Sequence, residues 1–220
     1  MTKKIKPIIL FDLDGTLIDS TEAILESFRF AYKDNDTICN SSDQEIKNTI
    51  GYPLEVMFEQ LGVTKSDIEK YVLSYKKHYR IISNEKTVML ANAIEAIKEA
   101  YSFATLGIVT TKTTQYSKIL LENKGVMHYF STIIGFQEVT HPKPHPEPIL
   151  KALENLSARP SKDIYMIGDT TLDLIAAKEA GVSSVGVLCG YGTQDQLKKY
   201  TDKIVTNSYE AVNLVKKQFS

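Results

Sequence analysis

The sequence lacks an excess of charge of either sign. Its 26 Lys and Arg residues nearly balance 27 Asp and Glu residues, so the formal net charge is −1 at pH 7. Proteins that bind nucleic acid or an anionic membrane surface through their overall field need a basic excess. The basic runs of this chain are pairs of lysines, which are typical of solvated surface. We therefore expect neither nucleic acid nor a membrane as a partner.

Long apolar runs and a disulfide framework are missing as well. No uninterrupted apolar run reaches the ~18 residues that a membrane span requires. The apolar run that begins at residue 7 meets Asp12 too early for the hydrophobic region of an export signal. The two cysteines, Cys39 and Cys189, lie far apart in the sequence. We therefore expect free thiols and a cytoplasmic location.

What the chain does contain is the composition of a folded protein. Hydrophobic residues make up 43% of it and charged residues 24%, unlike a disordered chain. A length of 220 residues suffices for one large domain or for a main domain with a small companion. A sizeable hydrophobic core is therefore expected.

From residue 84 onward, short apolar runs alternate with longer amphipathic segments. This alternation predicts repeated βα units and a parallel sheet. The expected strands are 8–11, 105–109, 132–134, 164–167, 185–188 and 203–205. The expected helices are 91–101, 113–124, 148–156 and 172–180.

Residues 20–83 follow a different pattern, with apolar residues at helical spacing and no convincing strand. The expected helices are 21–32, 43–50, 53–61 and 66–80. Because this segment interrupts the βα alternation after the first strand, we predict an inserted helical domain. The expected fold is therefore α/β, with a Rossmann-like parallel-sheet core formed by residues 1–18 and 84–220 and a helical domain formed by residues 19–83.

Polar residues follow the predicted strands, where ligands bind in parallel sheets. The first strand is followed by Asp12 and Asp14, the second by Thr110 and Thr111, and the fourth by Asp169, with Asp173 four residues on, while a loop beyond the third strand carries Lys143. Carboxylate oxygens are ligands for the hard cation Mg²⁺, while Lys and Thr side chains can hold phosphate oxygens. The combination predicts a divalent cation and a phosphoryl group at one edge of the sheet.

Each of these residues also has a structural interpretation. Asp14-Gly15 could form a hairpin turn. Asp169 and Thr170 could cap the helix that follows, with Asp173 favourably placed near the positive end of the helix dipole. Thr110 could be an ordinary strand-end hydroxyl. Taken singly, the cap and the hydroxyl are better explained in this structural way.

The segment HPKPHPEP, residues 141–148, favours a positioned charge. Prolines on both sides of Lys143 restrict the backbone and reduce the freedom that its loop must lose. His141 and His145 could be metal ligands, but no Cys or third His accompanies them. We therefore assign the two histidines to loop structure and keep a metal role as an alternative.

Together these motifs resemble those of the haloacid dehalogenase superfamily of phosphotransferases. DLDGT at 12–16 is similar to motif one, Thr110 to the hydroxyl of motif two, Lys143 within KPHPEP to motif three, and GDTTLD at 168–173 to motif four. Their order and spacing agree with the family over nearly the whole chain. The helical segment lies where the family inserts its cap domain.

The resemblance implies roles for the acidic residues. Asp12 would attack phosphorus and form an aspartyl-phosphate, and Asp14 would protonate the leaving group and later take a proton from the hydrolytic water. Asp12, the backbone carbonyl of Asp14 and Asp169 would hold Mg²⁺, with Asp173 ligating it or supporting the site.

The resemblance also implies substrate-binding residues. Thr110 and Lys143 would bind the transferring group, with Lys143 shielding the nucleophile from the anion that it attacks. Thr111 stands where many relatives have Asn, which leaves its contacts open. In the helical domain, Tyr52 and its loop are expected to close over the site and to distinguish substrates.

Within the superfamily, the pattern is similar to phosphoglycolate phosphatases. Dehalogenating relatives lack the second acid at the position of Asp14. Sugar-phosphate mutases typically add a basic residue in a cap loop, whereas residues 51–55 are uncharged until Glu55. We therefore expect a Mg²⁺-dependent phosphatase for a small phosphorylated metabolite, as a monomer or homodimer. The alternatives are a sugar-phosphate mutase, a pyrophosphatase or, from another class, a phospho-receiver signalling domain.

Overall fold

The structure, a computed structural model, describes residues 6–219 and divides into two compact units. The first, which we call the α/β unit, ends at Ile18 and resumes at Met89. The second, the helical unit, is Asp19–Val88. Residues 84–88, expected in the α/β core, belong to the helical unit because the last helix of the insert continues to Lys86.

The secondary-structure elements follow the predicted alternation closely. The strands are β1 (Ile8–Phe11), β2 (Ile18–Asp19), β3 (Val88–Met89), β4 (Thr105–Val109), β5 (Phe130–Ile134), β6 (Ile164–Gly168), β7 (Ser183–Val187) and β8 (Ile204–Val205). The helices are α1 (Thr21–Asp34), α2 (Asp43–Lys47), α3 (Leu54–Gln60), α4 (Ile68–Lys86), α5 (Ala93–Phe103), α6 (Thr114–Asn123), α7 (Glu147–Asn155), α8 (Thr171–Glu179), α9 (Gln194–Leu197) and α10 (Ser208–Lys216). Within residues 6–219, no helix combines the length and the apolar character needed to cross a lipid bilayer.

Six of these strands form one parallel sheet in the order β5-β4-β1-β6-β7-β8. Strand β1 is central, and its last residue, Phe11, is level with Ile108 of β4 and Ile167 of β6. Because parallel strands share their carboxyl edge, the residues that follow β1, β4 and β6 are neighbours. The predicted α/β fold is confirmed.

The sheet is covered on both faces, which explains why its strands are apolar throughout rather than alternating. Ile9 and Phe11 pack with residues of α5 and α10, whereas Leu10 packs on the other face with residues of α7 and α8. All three side chains are fully buried, and burying each contributes ~1.5–3 kcal/mol. This packing fixes where β1 ends and hence where Asp12 lies.

The helical unit has an aromatic core of its own. The rings of Phe28, Phe58 and Tyr75, from α1, α3 and α4, are buried together. The Phe28 ring centroid lies 4.5 Å from that of Phe58 and 5.1 Å from that of Tyr75. Such ring pairs add ~0.5–1.5 kcal/mol to the effect of burial. Tyr52 is half-buried in the segment between α2 and α3.

Candidate active site

The turn after β1 positions two of the predicted acids. The backbone N–H of Asp12 donates to the carbonyl of Ile167 at 2.9 Å and so extends the ladder with β6 by one residue. Gly15 then adopts φ +79°, and a Cβ at this position would collide with the Asp169 carboxylate. Glycine is therefore required here for both backbone shape and space. No hairpin forms at Asp14-Gly15, because β1 pairs with the parallel strands β4 and β6.

Lys143 lies inside the site and joins two of its acids. Its Nζ is 2.9 Å from Asp12 Oδ1 and 2.5 Å from Asp173 Oδ1, and it donates to the Val109 carbonyl at 3.0 Å. The side chain is only 3% exposed. Burial alone would lower the pKa of Lys143, but the charges of Asp12 and Asp173 outweigh it and the pKa is raised. The structure thus holds a charged ammonium group beside Asp12.

Asp12, Asp169 and Asp173 form a buried carboxylate cluster, with one oxygen of each within 4.8 Å of the others. Burial raises the pKa of Asp12 to about 7 despite the opposing charge of Lys143. The pKa of Asp169 is raised well above its usual value, first by burial and then by the charges of Asp12 and Asp173. Lys143 therefore does not fully compensate the buried negative charge. Carboxylates that lack positive charge fit a divalent cation with oxygen ligands.

Asp169 is held from two sides. Its Oδ1 accepts a hydrogen bond from the Thr16 hydroxyl at 3.0 Å, and its Oδ2 accepts one from the Tyr191 backbone N–H at 2.8 Å. The side chain is thus oriented by the motif that carries Asp12 and by the segment after β7. Two neutral donors fix its position without neutralising its charge.

Asp173 has a structural role as well as a place in the cluster. Its Oδ2 accepts hydrogen bonds from the backbone N–H of Thr170 at 3.0 Å and from the Thr170 hydroxyl at 2.7 Å, which completes a capping box at the start of α8. Its Oδ1 is the partner of Lys143. The structural interpretation and the site therefore coexist, and both oxygens of Asp173 are engaged.

The turn after β4 brings in a residue that the sequence analysis did not select. Thr110 is buried at the end of β4, and its Oγ1 accepts a hydrogen bond from the backbone N–H of Lys112 at 3.2 Å. The Lys112 Nζ lies 3.1 Å from Asp14 Oδ2, and the two side chains are 10% and 14% exposed. Thr111, which lies between Thr110 and Lys112 in the sequence, is half-buried in the same turn. A basic residue two positions after the strand-end hydroxyl was the available signal for Lys112.

Of the remaining candidates, His141 and His145 lie on the exposed side of the loop that carries Lys143, away from the carboxylate cluster. Tyr52 belongs to the helical unit. The α/β unit thus brings together the predicted residues Asp12, Asp14, Thr110, Lys143, Asp169 and Asp173, and it adds Lys112 to them.

Comparisons with known proteins agree with this geometry. Residues 9–187 match the family of haloacid dehalogenase-like hydrolases. A protein of Dickeya dadantii named "Probable phosphatase IndB" is 34% identical over 214 residues, which cover 94% of this chain and 92% of that protein. "Pyrophosphatase PpaX" of Oceanobacillus iheyensis is 32% identical over 214 residues, which cover 96% of this chain and 98% of that protein.

A solved structure shows the same likeness at the level of the fold. It is a haloacid dehalogenase-like family hydrolase from Streptococcus pneumoniae, with a TM-score of 0.85 and 29% sequence identity over 95% of this chain and 98% of that one. The family match covers most of the chain and spans the acidic cluster, Lys143 and the strands that position them. The chain therefore belongs to the haloacid dehalogenase-like hydrolases.

Proposed function

We propose that this hydrolase is a Mg²⁺-dependent phosphatase that acts on a small phosphorylated metabolite through an aspartyl-phosphate at Asp12. The observation that carries the proposal is the Lys143 ammonium group, 2.9 Å from Asp12 Oδ1 at the carboxyl edge of the sheet. A phosphate dianion that approaches a bare carboxylate is repelled. Lys143 reduces this repulsion and holds the Asp12 side chain in place.

The carboxylate cluster would hold the cation. Asp12 and Asp169 offer carboxylate oxygens and Asp14 a backbone carbonyl, which are the hard donors that Mg²⁺ prefers. Asp173 would support the site rather than ligate, because the charged Lys143 ammonium group occupies its Oδ1 and two Thr170 donors occupy its Oδ2. When bound, Mg²⁺ supplies positive charge that offsets the negative charge of the transferring phosphoryl group.

The residues of the chain would perform the reaction in two halves. An Asp12 oxygen attacks phosphorus while the bond from phosphorus to the leaving oxygen breaks, and Asp14 gives that oxygen a proton. Water then attacks phosphorus in the aspartyl-phosphate while the bond from phosphorus to the Asp12 oxygen breaks, and Asp14 takes the water's proton. Phosphate is released and the Asp12 carboxylate is regenerated. Thr110 and Lys143 would bind the phosphoryl oxygens during both halves.

The test is steady-state hydrolysis of an aryl phosphate by the purified protein with Mg²⁺. We expect many turnovers per molecule, loss of activity with EDTA, and a fall of at least ~10³-fold for Asp12→Asn, which removes the nucleophile and keeps the shape. A single stoichiometric phosphorylation without turnover would instead support the phospho-receiver alternative.

Two substrates are candidates for this phosphatase, a phosphoglycolate-like phosphomonoester and pyrophosphate. The likeness of the motifs to phosphoglycolate phosphatases favours a phosphoglycolate-like phosphomonoester. The relative from Oceanobacillus iheyensis, named a pyrophosphatase, favours pyrophosphate. In the helical unit, Tyr52 is the candidate for distinguishing such substrates. A sugar-phosphate mutase has less support, because residues 51–55 carry no basic side chain to hold a second phosphate.

Lys112 bears on the choice between the two substrates through the leaving group. An alkoxide leaving group needs a proton, which Asp14 can supply, whereas phosphate departs as a stable anion and gains more from a nearby positive charge. Lys112 Nζ provides such a charge 3.1 Å from Asp14 Oδ2. The two candidates are separated by comparing kcat/KM for phosphoglycolate and pyrophosphate under the same Mg²⁺ concentration.

A further inference from the structure

A second group of metal-ligating side chains lies outside the carboxylate cluster. His141, His145 and Glu147 each offer a ligand atom, and these atoms lie within 4.8 Å of one another. The Nδ1 of His141 is 3.0 Å from Glu147 Oε2, and the Nδ1 of His145 is 4.0 Å from the same oxygen. Glu147 is thus the third donor that the sequence analysis did not find beside the histidine pair.

Glu147 is held in place by the loop that it closes. Its two carboxylate oxygens accept hydrogen bonds from the backbone N–H groups of Thr140 at 2.8 Å and His141 at 2.9 Å. The bond from Thr140 is the main cause of a lowered pKa of Glu147. The carboxylate is therefore ionised at neutral pH and fixed at the entrance to α7. Such backbone donors orient a metal-ligating carboxylate.

The loop between the donors has little freedom to lose. Pro142, Pro144 and Pro146 alternate with the residues that carry the functional side chains, and each proline fixes its own φ. The imidazole rings of His141 and His145 already lie with their centroids 4.7 Å apart. Binding an ion between them would require a small adjustment rather than the ordering of a flexible segment.

We propose that His141, His145 and Glu147 bind a transition-metal ion of the Zn²⁺ type. Two imidazole nitrogens and one carboxylate oxygen form a ligand set that suits Zn²⁺ and its neighbours, whereas Mg²⁺ prefers oxygen ligands alone. The histidine side chains are 63% and 51% exposed, so water can complete the coordination. The ion would replace the 3.2 Å hydrogen bond that the Glu147 N–H donates to His145 Nδ1, leaving that N–H to solvent.

This site is separate from the carboxylate cluster although one loop serves both. Lys143 lies between the two histidines in the sequence, yet its side chain is buried against Asp12 and Asp173 while theirs are exposed. An ion on the outer side of the loop would therefore bind without displacing the acids. The proposal holds whether or not the chain is a phosphatase.

The experiment is calorimetric titration of Zn²⁺ into the untagged full-length protein, with Mg²⁺ in large excess to occupy the carboxylate cluster. We expect about one Zn²⁺ per chain. The double variant His141→Ala/His145→Ala should weaken this binding by ~10-fold or more, since even outer-shell changes cost that much. Glu147→Gln should weaken it as well, because the charge is lost. Visible absorption of bound Co²⁺ gives an independent readout of the site, and it should be lost in the double variant.

His128→Ala is the matched control, because His128 is an exposed histidine of the same unit outside the cluster. It should bind Zn²⁺ as the wild type does. The circular dichroism of the double variant should be unchanged, since both side chains are exposed. The proposal fails if the wild type takes up no Zn²⁺ in excess Mg²⁺, if the double variant binds it equally tightly, or if His128→Ala weakens binding as much.

Discussion

The carboxyl edge of the sheet in the α/β unit and the core of the helical unit bury opposite kinds of side chain. The sheet edge of the α/β unit encloses three carboxylates and Lys143, whereas the helical unit encloses the rings of Phe28, Phe58 and Tyr75. Burying rings stabilises a fold, but burying charges does so only when every charge has a partner. The stability of the sheet edge thus depends on the pairing of its charges, whereas the stability of the aromatic core depends on how well the rings fill its volume. Only the stability of the sheet edge should change when a divalent cation is added.

The largest effect is expected from removing Lys143. Lys143→Met keeps the length of the side chain but leaves Asp12 and Asp173 without their ammonium partner. Breaking a buried ion pair in this way costs ~3–5 kcal/mol of stability. Turnover should also be lost, because the side chain proposed to bind the phosphoryl group is gone. Urea unfolding with and without Mg²⁺ measures the first effect. Added Mg²⁺ should recover part of the stability, because it supplies positive charge to the same carboxylates.

Lys162→Met is the control for this change, since Lys162 is an exposed lysine of the same unit. Its effect on stability should stay within ~0.5 kcal/mol. Equal urea midpoints for Lys143→Met and Lys162→Met would show that the charged edge is not held together by Lys143.

The next effect tests the aromatic core. Phe58→Ala removes a fully buried ring that lies against Phe28 and Tyr75 and should cost ~3 kcal/mol of stability. The loss of stability in Phe58→Ala, unlike that in Lys143→Met, should not be reduced by Mg²⁺. Leu73→Ala, at a side chain of α4 that is 62% exposed, should change little. Urea unfolding followed by helical circular dichroism measures both variants, and a Mg²⁺-dependent recovery of Phe58→Ala would remove the distinction between the two regions.

The charged edge could be predicted from the sequence because its geometry follows from topology. Asp12, Thr110 and Asp169 each follow an apolar strand, and parallel strands place such residues at one edge. Lys143 does not follow a strand directly, but its flanking prolines marked it as a positioned charge. No packing detail was needed for these residues.

Other features could not be predicted because they depend on tertiary contacts. The direction of the Lys112 side chain is set by a turn in which Thr110 Oγ1 accepts its backbone N–H. Helix α4 continues to Lys86, beyond the predicted helix end at residue 80 and the predicted domain boundary at residue 83, because Lys86 donates to Glu22 and Glu26 at 2.6 Å within the helical unit. Such contacts override local signals.

The smallest expected effect concerns Lys112 and divides the charged edge itself. If Lys112 stabilises an anionic leaving group, Lys112→Met should lower kcat/KM for pyrophosphate by ~10-fold more than for phosphoglycolate, whose alkoxide leaving group needs a proton, a difference of ~1.4 kcal/mol. Stability should fall less than with Lys143→Met, because the Asp14 side chain is 14% exposed whereas that of Asp173 is fully buried. Lys112→Arg keeps the charge and should retain most of the preference. Equal losses for both substrates, or a larger loss for phosphoglycolate, would mean that Lys112 acts only by positioning Asp14, which takes the proton of the hydrolytic water whatever the substrate.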